Sequence, residues 1–376
     1  MSDKRVQLGI LGAGMIATVD YGYLPQMGAI KDKLDVVAIA DPRVDLASRV
    51  AEQFQIPAVY ASLSEMLENS DVEAVLNLTP IPVHAETSLQ VLRSGRHLAS
   101  EKPLATTLEE ADKLVEEARA RSLIVVCSPS QVLWPSRQEA RRLVRDGAIG
   151  KVAFARVRSS HDGPAARGWP ADPSWFYQKG AGPLYDMGVY GISEITGILG
   201  PVKRVSAFAG ITERTRTVDG GPFAGLVIEV TADDNVVMLL DFGEATFAMV
   251  DGTFNVLATH SPKIELFGRQ GVLNLPYDWM EIGDEPALEL YRKEAAPGLD
   301  GWTAPNLDRE CQAWADSMAQ ALLVDHLADC ILGRATPILT PEFARHVLDV
   351  MACAQESAVS GKTVTLTTSF EWPEAG

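Results

Sequence analysis

The sequence predicts an α/β chain in two parts, a parallel doubly wound sheet followed by an α+β portion built on a large, mostly antiparallel open sheet. Three observations carry that reading. A glycine fingerprint stands directly after the first apolar run, six apolar runs alternate with helical periodicity as far as Cys127, and strand-like sequence dominates beyond Pro129.

The first element is the strand Val6–Leu11, which feeds into Gly12, Gly14 and Ala17, spaced G-x-G-x-x-A. Gly12 permits the tight turn, Gly14 lets backbone approach a pyrophosphate, and Ala17 lets a helix pack closely on the strand. Met15 and Ile16 open that helix, whose free N–H groups and positive dipole end face the phosphates. A second strand, Val36–Ala40, ends in Asp41, where a carboxylate accepts from the adenosine ribose hydroxyls and repels a 2′-phosphate. That favours NAD, with Arg43 keeping NADP as the alternative. Asp41 is expected at a solvent-facing strand end; the competing reading is that Asp41-Pro42 only terminates the strand.

The alternation continues through helix 44–54, strand 58–60, helix 63–69, strand 74–78, helix 83–94, strand 97–100, helix 108–122 and strand 123–127. Helix 108–122 carries apolar residues at 108, 111, 114, 115 and 118, one face at helical spacing. A connecting helix, 136–146, precedes strands 152–159, 202–210, 225–231, 236–242, 246–251 and 263–267, joined by hairpin-type turns such as Asp233-Asp234-Asn235. Helices 307–332 and 341–360 and a strand 363–367 complete the pattern. The boundary falls at 129/130, giving a dinucleotide-binding domain, 1–129, and a second domain, 130–376.

Composition narrows the function. Fifty acidic against 33 basic side chains, a net charge of −17, argue against nucleic acid, an anionic membrane or a highly phosphorylated substrate as partner. Cys127, Cys311, Cys330 and Cys353 are widely separated and read as buried fillers in a reducing compartment. With no leader before the first strand and no apolar run of membrane-spanning length, the protein is expected in the cytoplasm.

Ligands of an open α/β sheet bind at the carboxyl ends of its strands. The fourth strand ends in Asn77-Leu78-Thr79-Pro80, with His84 following, and the fifth in Glu101-Lys102-Pro103. Lys102, with Glu101, is placed to meet the nicotinamide ribose or the reacting oxygen; the alternative is a surface pair of little consequence. In the second domain, Gly182-Pro183-Leu184-Tyr185-Asp186-Met187-Gly188-Val189-Tyr190 puts Asp186 and Tyr190 four apart, on one face of a helix. Gly188 between them suggests that something packs against the backbone. Tyr190 is either a reacting group or an amphipathic core tyrosine.

A GxGxxA start, an acidic end to the second strand, T-P with a following His, E-K-P and G-x-G-x-x-x-D-x-G-x-[HY] in this order resemble the glucose-fructose oxidoreductase and inositol dehydrogenase (Gfo/Idh/MocA) family, in its Tyr-type branch. The resemblance implies a Rossmann domain followed by an open-sheet domain that binds substrate and forms dimers or tetramers. It implies a nicotinamide cofactor between the domains and a small sugar or polyol substrate. By family position Lys102 is the motif lysine, Asp186 the helix carboxylate and Tyr190 the acid/base. Ser193 stands where many members carry Asp or Asn.

Removing hydride from a carbinol carbon requires the hydroxyl proton to leave, and a free tyrosine, with a pKa of about 10, is a poor base at neutral pH. An ammonium favours tyrosinate, so Lys102 is expected to stabilise the anion while Asp186 orients the substrate or Lys102. The long segment 161–177 holds His161, Trp169 and Trp175 as candidate substrate contacts, with packing of the loop on its own domain as the alternative for each. No metal is expected, since His161 and Asp162 have no third ligand in spacing. Oxidoreduction of a sugar or polyol is the leading function. The alternatives are an NAD-dependent glycoside hydrolase working through transient oxidation and a non-catalytic NAD-binding regulator.

Overall fold

The computed structural model describes residues 4–276, 286–293, 301–305, 307 and 320–373, so Cys311 and the first part of the expected helix 307–332 lie outside the described residues. The chain forms two compact units: Met1–Leu133 with Ala313–Leu348 and Glu371–Gly376, and Trp134–Gln312 with Asp349–Phe370.

The first unit is a six-stranded parallel sheet in the order β3-β2-β1-β4-β5-β6, with β1 Val6–Leu11, β2 Leu34–Ala40, β3 Ala58–Tyr60, β4 Ala74–Asn77, β5 His97–Ser100 and β6 Val125–Cys127. The order reverses between β1 and β4, which makes their carboxyl ends the place for a ligand. Leu8, Ile10, Ile39, Val75, Leu76 and Leu98 are fully buried, as strands covered on both faces require. Helix 108–122 ends one residue early: a capping box of Thr107 and Glu110 starts it, and Ser122 closes it in the left-handed region at φ 54°. β6 starts at Val125 because the Leu123 N–H turns back to Ala118 O and the Ile124 N–H donates to His97 Nδ1.

Two features depart from the expected layout. The helix after the glycine loop is broken into two single turns, α1 Met15–Thr18 and α2 Tyr23–Gln26. Gly22 makes the break: its N–H donates to Val19 O, and a Cβ there would run into Ile16 O. The first unit also takes in the helix Ala321–Ile331, which buries Leu323, Val324, Leu327 and Ala328 and packs on β5 and β6. Lys33 anchors that helix by ion pairs to Asp325 (2.6 Å) and Asp329 (2.9 Å).

The second unit holds a nine-stranded sheet in the order β16-β15-β14-β13-β7-β12-β11-β8-β17. Its members are β7 Val152–Val157, β8 Arg204–Gly210, β11 Asn235–Gly243, β12 Thr246–Thr253, β13 Ile264–Gly268, β14 Gly271–Leu275, β15 Glu289–Arg292, β16 Gly301–Thr303 and β17 Val364–Thr365. Only β7 and β12 run parallel. Residues alternate in burial along β11, Val236, Met238 and Leu240 inward and Val237 and Leu239 outward, as in a sheet with one open face. β10 Val227–Glu229 leaves this sheet and pairs with a strand absent from the sequence reading, β9 Thr215–Thr217.

Asp233-Asp234-Asn235 is therefore not a hairpin turn. Asp234 is buried and accepts from the Thr212 N–H (2.7 Å), the Thr212 hydroxyl (2.8 Å) and Arg216 (2.8 Å), which pins a crossover loop. The true hairpin joins β11 to β12 through Glu244 and Ala245, both at positive φ (51° and 59°), the conformation a tight two-residue connection demands. Helix α7, Pro135–Arg145, and the second half of the helix Pro341–Ser360 also belong to this unit. Among the described residues no helix is long and apolar enough to cross a membrane, and Cys127, Cys330 and Cys353 are free and buried.

Candidate active site

The glycine loop has the features its spacing predicts. Gly12 sits at φ +104°, and a Cβ there would lie 2.9 Å from Leu78 O. A Cβ at Gly14 would meet nothing within 4 Å, so the loop backbone is open to a ligand on that side. The helix Met15 begins is one turn long, so dipole assistance from it is slight and its first N–H groups are the useful donors.

Asp41 is not solvent-facing, contrary to expectation. It is 4% exposed, because its Oδ2 accepts the Ala13 N–H at 2.9 Å and draws the strand end under the glycine loop. Arg43 adds three donors, its N–H at 2.8 Å, Nε at 3.1 Å and Nη2 at 3.1 Å. Burial raises the Asp41 pKa, and the donors from Arg43 and Ala13 outweigh it and hold the carboxyl below its ordinary value.

At the end of β4, the fully buried Asn77 organises the turn. Its amide donates to Thr87 Oγ1 (2.8 Å) and Ser88 Oγ (3.0 Å), and its carbonyl accepts from the Thr79 hydroxyl (2.7 Å) and N–H (3.1 Å). His84 is buried and spans two carbonyls, Pro103 O at Nδ1 (3.0 Å) and Thr79 O at Nε2, so it braces Thr79-Pro80 against the turn after β5. That turn contains Glu101 and Lys102 and a cis Lys102–Pro103 bond. Glu101 is no loose surface acid: it accepts from Tyr23, Ser128 and the Lys102 N–H.

In the second unit, residues Leu184–Gly188 form a π-turn that continues into α8, Val189–Leu199. Asp186 stands in the widened turn and Tyr190 in the first turn of the α-helix that follows it. The Asp186 N–H donates to Gly182 O (3.0 Å), and Gly182 requires its positive φ of 90°. Something does pack against Gly188: a Cβ at Gly252 of β12 would lie 3.6 Å from its Cα. Ser159 then locks the start of α8, accepting the Gly191 N–H (3.0 Å) and donating to Met187 O.

Tyr190 and Trp169 pack on one apolar cluster that includes Phe176, Tyr177, Met187, Val230 and Phe254. Trp169 meets Phe176 edge-on at 5.5 Å, while Trp175, 48% exposed, stacks on the same ring at 3.8 Å. His161 is buried against Phe254 (5.3 Å), and its Nδ1 accepts the Gly163 N–H at 2.7 Å. Segment 161–177 is thus packed on its own unit, with the Trp169 Nε1–H buried and meeting no acceptor among the described residues. Ser193 is fully buried inside α8, its hydroxyl meeting no hydrogen-bond partner among the described residues. Among the described residues no group of three or more His, Cys, Asp or Glu is placed to hold a metal.

The sequence-selected residues thus divide between two places. Gly12, Gly14, Met15, Ile16, Asp41, Arg43, Thr79, Pro80, His84, Glu101 and Lys102 line the carboxyl edge of the parallel sheet; His161, Trp169, Trp175, Asp186 and Tyr190 lie around the π-turn and its aromatic cluster. Sequence reasoning missed Tyr23, Ser128 and Ser159, single polar residues outside any motif, and passed over Asn77 although it stands within one.

Residues 6–128 match a family model described as oxidoreductase family, NAD-binding Rossmann fold, and residues 137–274 match the Gfo/Idh/MocA C-terminal domain. The trans-1,2-dihydrobenzene-1,2-diol dehydrogenase of Xenopus tropicalis is 25% identical over 345 residues, 91% of this chain and 95% of its own. The myo-inositol 2-dehydrogenase of Thermotoga maritima is 24% identical over 269 residues, 71% and 74% of the two chains. A solved levoglucosan dehydrogenase, in complex with NADH and levoglucosan, superposes with a TM-score of 0.83 at 19% identity, covering 97% of this chain and all of its own. With the glycine loop open at Gly14 and the strand order reversing beside it, the chain belongs to the Gfo/Idh/MocA family and is an NAD-binding oxidoreductase.

Proposed function

We propose that this protein is a dehydrogenase for a small, uncharged cyclic sugar or polyol, working reversibly with NAD. The observation that carries it is the π-turn Leu184–Gly188, which bears Asp186 and leads into the helix of Tyr190, beside a cluster of aromatic and aliphatic side chains. Three relatives whose names specify a cyclic diol, an inositol and an anhydrosugar support the substrate class. NAD supplies the hydride acceptor, and NADH the donor in reverse. Tyr190 takes the hydroxyl proton as hydride leaves the carbinol carbon, and returns it to the carbonyl oxygen in reduction. Lys102 stabilises the tyrosinate and hydrogen-bonds the substrate oxygen; Asp186 orients the substrate.

Gly12, Gly14, Met15 and Ile16 hold the pyrophosphate, Asp41 and Arg43 the adenosine, and Thr79, Pro80, Glu101 and Lys102 the nicotinamide ribose, with His84 acting by bracing Thr79-Pro80. NADP remains the alternative through Arg43, which must leave Asp41 to meet a 2′-phosphate. His161, Trp169 and Trp175 shape the substrate side. In this division 1–129 binds cofactor, with the helix Ala321–Ile331 packed on its sheet, and the rest of 130–376 that belongs to the second unit binds substrate and self-associates as a dimer or tetramer in the cytoplasm. The outward face of the nine-stranded sheet supports self-association, because Phe208, Val237, Leu239 and Phe247 are exposed there as neighbours on β8, β11 and β12. Leu239→Lys should lower the mass seen in sedimentation.

The deciding experiment incubates the enzyme with monosaccharides, inositols, anhydrosugars, cyclic diols and glycosides, with NAD and with NADP. Steady NADH formation from a cyclic polyol is expected. Cleavage of a glycoside with catalytic NAD and no accumulation would replace this reading with the hydrolase, and NAD binding with no reaction would replace it with the regulator.

A further inference from the structure

The Glu101 carboxylate is held by groups from three separate stretches of the first unit. Its Oε1 accepts the Tyr23 hydroxyl at 2.6 Å and the Ser128 hydroxyl at 3.2 Å, and its Oε2 accepts the Lys102 N–H at 2.9 Å. Tyr23 Oη also lies 3.2 Å from Ser128 Oγ, closing a triangle. Tyr23 is fully buried, and Ser128 nearly so.

Filling space does not account for this arrangement. A tyrosine hydroxyl and a carboxylate withdrawn from water cost desolvation, and apolar side chains of similar volume would pack there without it. The triangle's position is more informative. Tyr23 follows Gly22, whose backbone is wedged against Ile16 O, so Tyr23 stands one contact from the loop that ends at Gly14-Met15-Ile16. Ser128 closes β6, and Glu101 precedes Lys102. The helical turn that follows the glycine loop, the end of β5 and the end of β6 therefore meet on one carboxylate.

We propose that Tyr23 and Ser128 are positioning residues which, through Glu101, hold the turn that presents Lys102 and tie it to the glycine loop. The proposal rests on the reading of Lys102 as the lysine of the reacting site. Besides Glu101 and Tyr23, the titratable groups that meet that turn include Cys127, whose Sγ is 3.6 Å from Glu101 O, and His84, on Pro103 O at 3.0 Å. The Cys127 thiol is pushed far up by burial and by Glu101, so it stays protonated through the range of interest.

The test is acetylation of Lys102 by acetic anhydride, followed by peptide mass spectrometry across pH, in wild type, Tyr23→Phe, Ser128→Ala and Glu101→Gln, with NAD affinity and steady-state kinetics alongside. Removing a hydroxyl donor leaves more of the Glu101 charge to act on the amine, so the labelling midpoint should rise in Tyr23→Phe and, less, in Ser128→Ala; it should fall in Glu101→Gln. Tyr23→Phe should also lose about tenfold in kcat with KM unchanged and NAD affinity within about threefold of wild type. A lowered melting temperature with labelling and kcat as in wild type would make Tyr23 a packing residue and overturn the proposal. Should Tyr23→Phe not fold, an unmoved labelling profile in Ser128→Ala overturns it equally. Wild-type protein that oxidises no polyol would sink the functional reading, while the labelling order would still decide this one.

Discussion

The two candidate regions solve different problems with different materials. At the carboxyl edge of the parallel sheet the chemistry-bearing side chains are saturated with partners: four donors on Asp41, two carbonyls on His84, three donors on Glu101. Tyr190 packs instead against a cluster of rings and aliphatic groups, and the Trp169 Nε1–H has no acceptor among the described residues. Directional hydrogen bonds hold these side chains and their turns in one geometry. A packed aromatic wall sets shape by volume instead, so a few side-chain changes can retune it for another polyol.

The largest effect expected on this contrast is at Tyr190. Tyr190→Phe keeps the ring on its cluster and should keep the fold, while kcat falls by about 10²- to 10⁴-fold. Tyr190→His should recover part of that, with the pH profile moved down, since imidazole titrates near neutrality. Lys102→Ala should lose most turnover and retain NAD binding. Wild-type turnover in Tyr190→Phe would reduce the second region to packing alone.

Acid should next attack the hydrogen-bonded frame of the first unit. Burial holds the His326 imidazole down at about 4, against the pull of Asp329, and its Nε2 accepts the Ile338 N–H at 3.0 Å. A histidine with a lowered folded pKa contributes stability above its unfolded value of about 6.5 and loses it as pH falls from there to 4, a change of about 3 kcal/mol. Denaturant unfolding at stepped pH should show that slope, and His326→Gln, which keeps an acceptor, should flatten it.

Asp41→Ala ranks third. It removes the acceptor for Ala13 and frees Arg43, so NAD affinity should fall about tenfold while NADP affinity rises, read by titration of each cofactor. Because Asp41 is buried and hydrogen-bonded to the glycine loop, some stability should go with it. The smallest effect belongs to Trp169→Phe, which deletes the unpartnered donor and keeps an aromatic ring. The melting temperature should not fall, and KM for the polyol should change by no more than a few fold. A large fall in kcat would instead show that Trp169 holds Tyr190.

What could be read from residues alone was whatever depends on neighbours along the chain. Apolar runs and helical spacing located all six strands of the parallel sheet, most plainly β1, β4 and β5, because strands buried on both faces leave continuous apolar stretches. Glycines that need positive φ or an open face marked the loop at Gly12 and Gly14, and Asp186 and Tyr190 were legible as a four-residue pair. The short strands β9, β14, β15 and β16 were not, since pieces of three to five residues carry too little pattern. Tertiary structure alone decided that Asp41 is buried, that Leu184–Gly188 widens into a π-turn, that the helix Ala321–Ile331 returns to the first unit, and that Tyr23, Ser128 and Glu101 meet. Each of these depends on a hydrogen bond or contact between residues far apart in the chain, Asp41 to Ala13, Gly252 against Gly188, Lys33 to Asp325, Tyr23 to Glu101, and no local periodicity encodes such a partner.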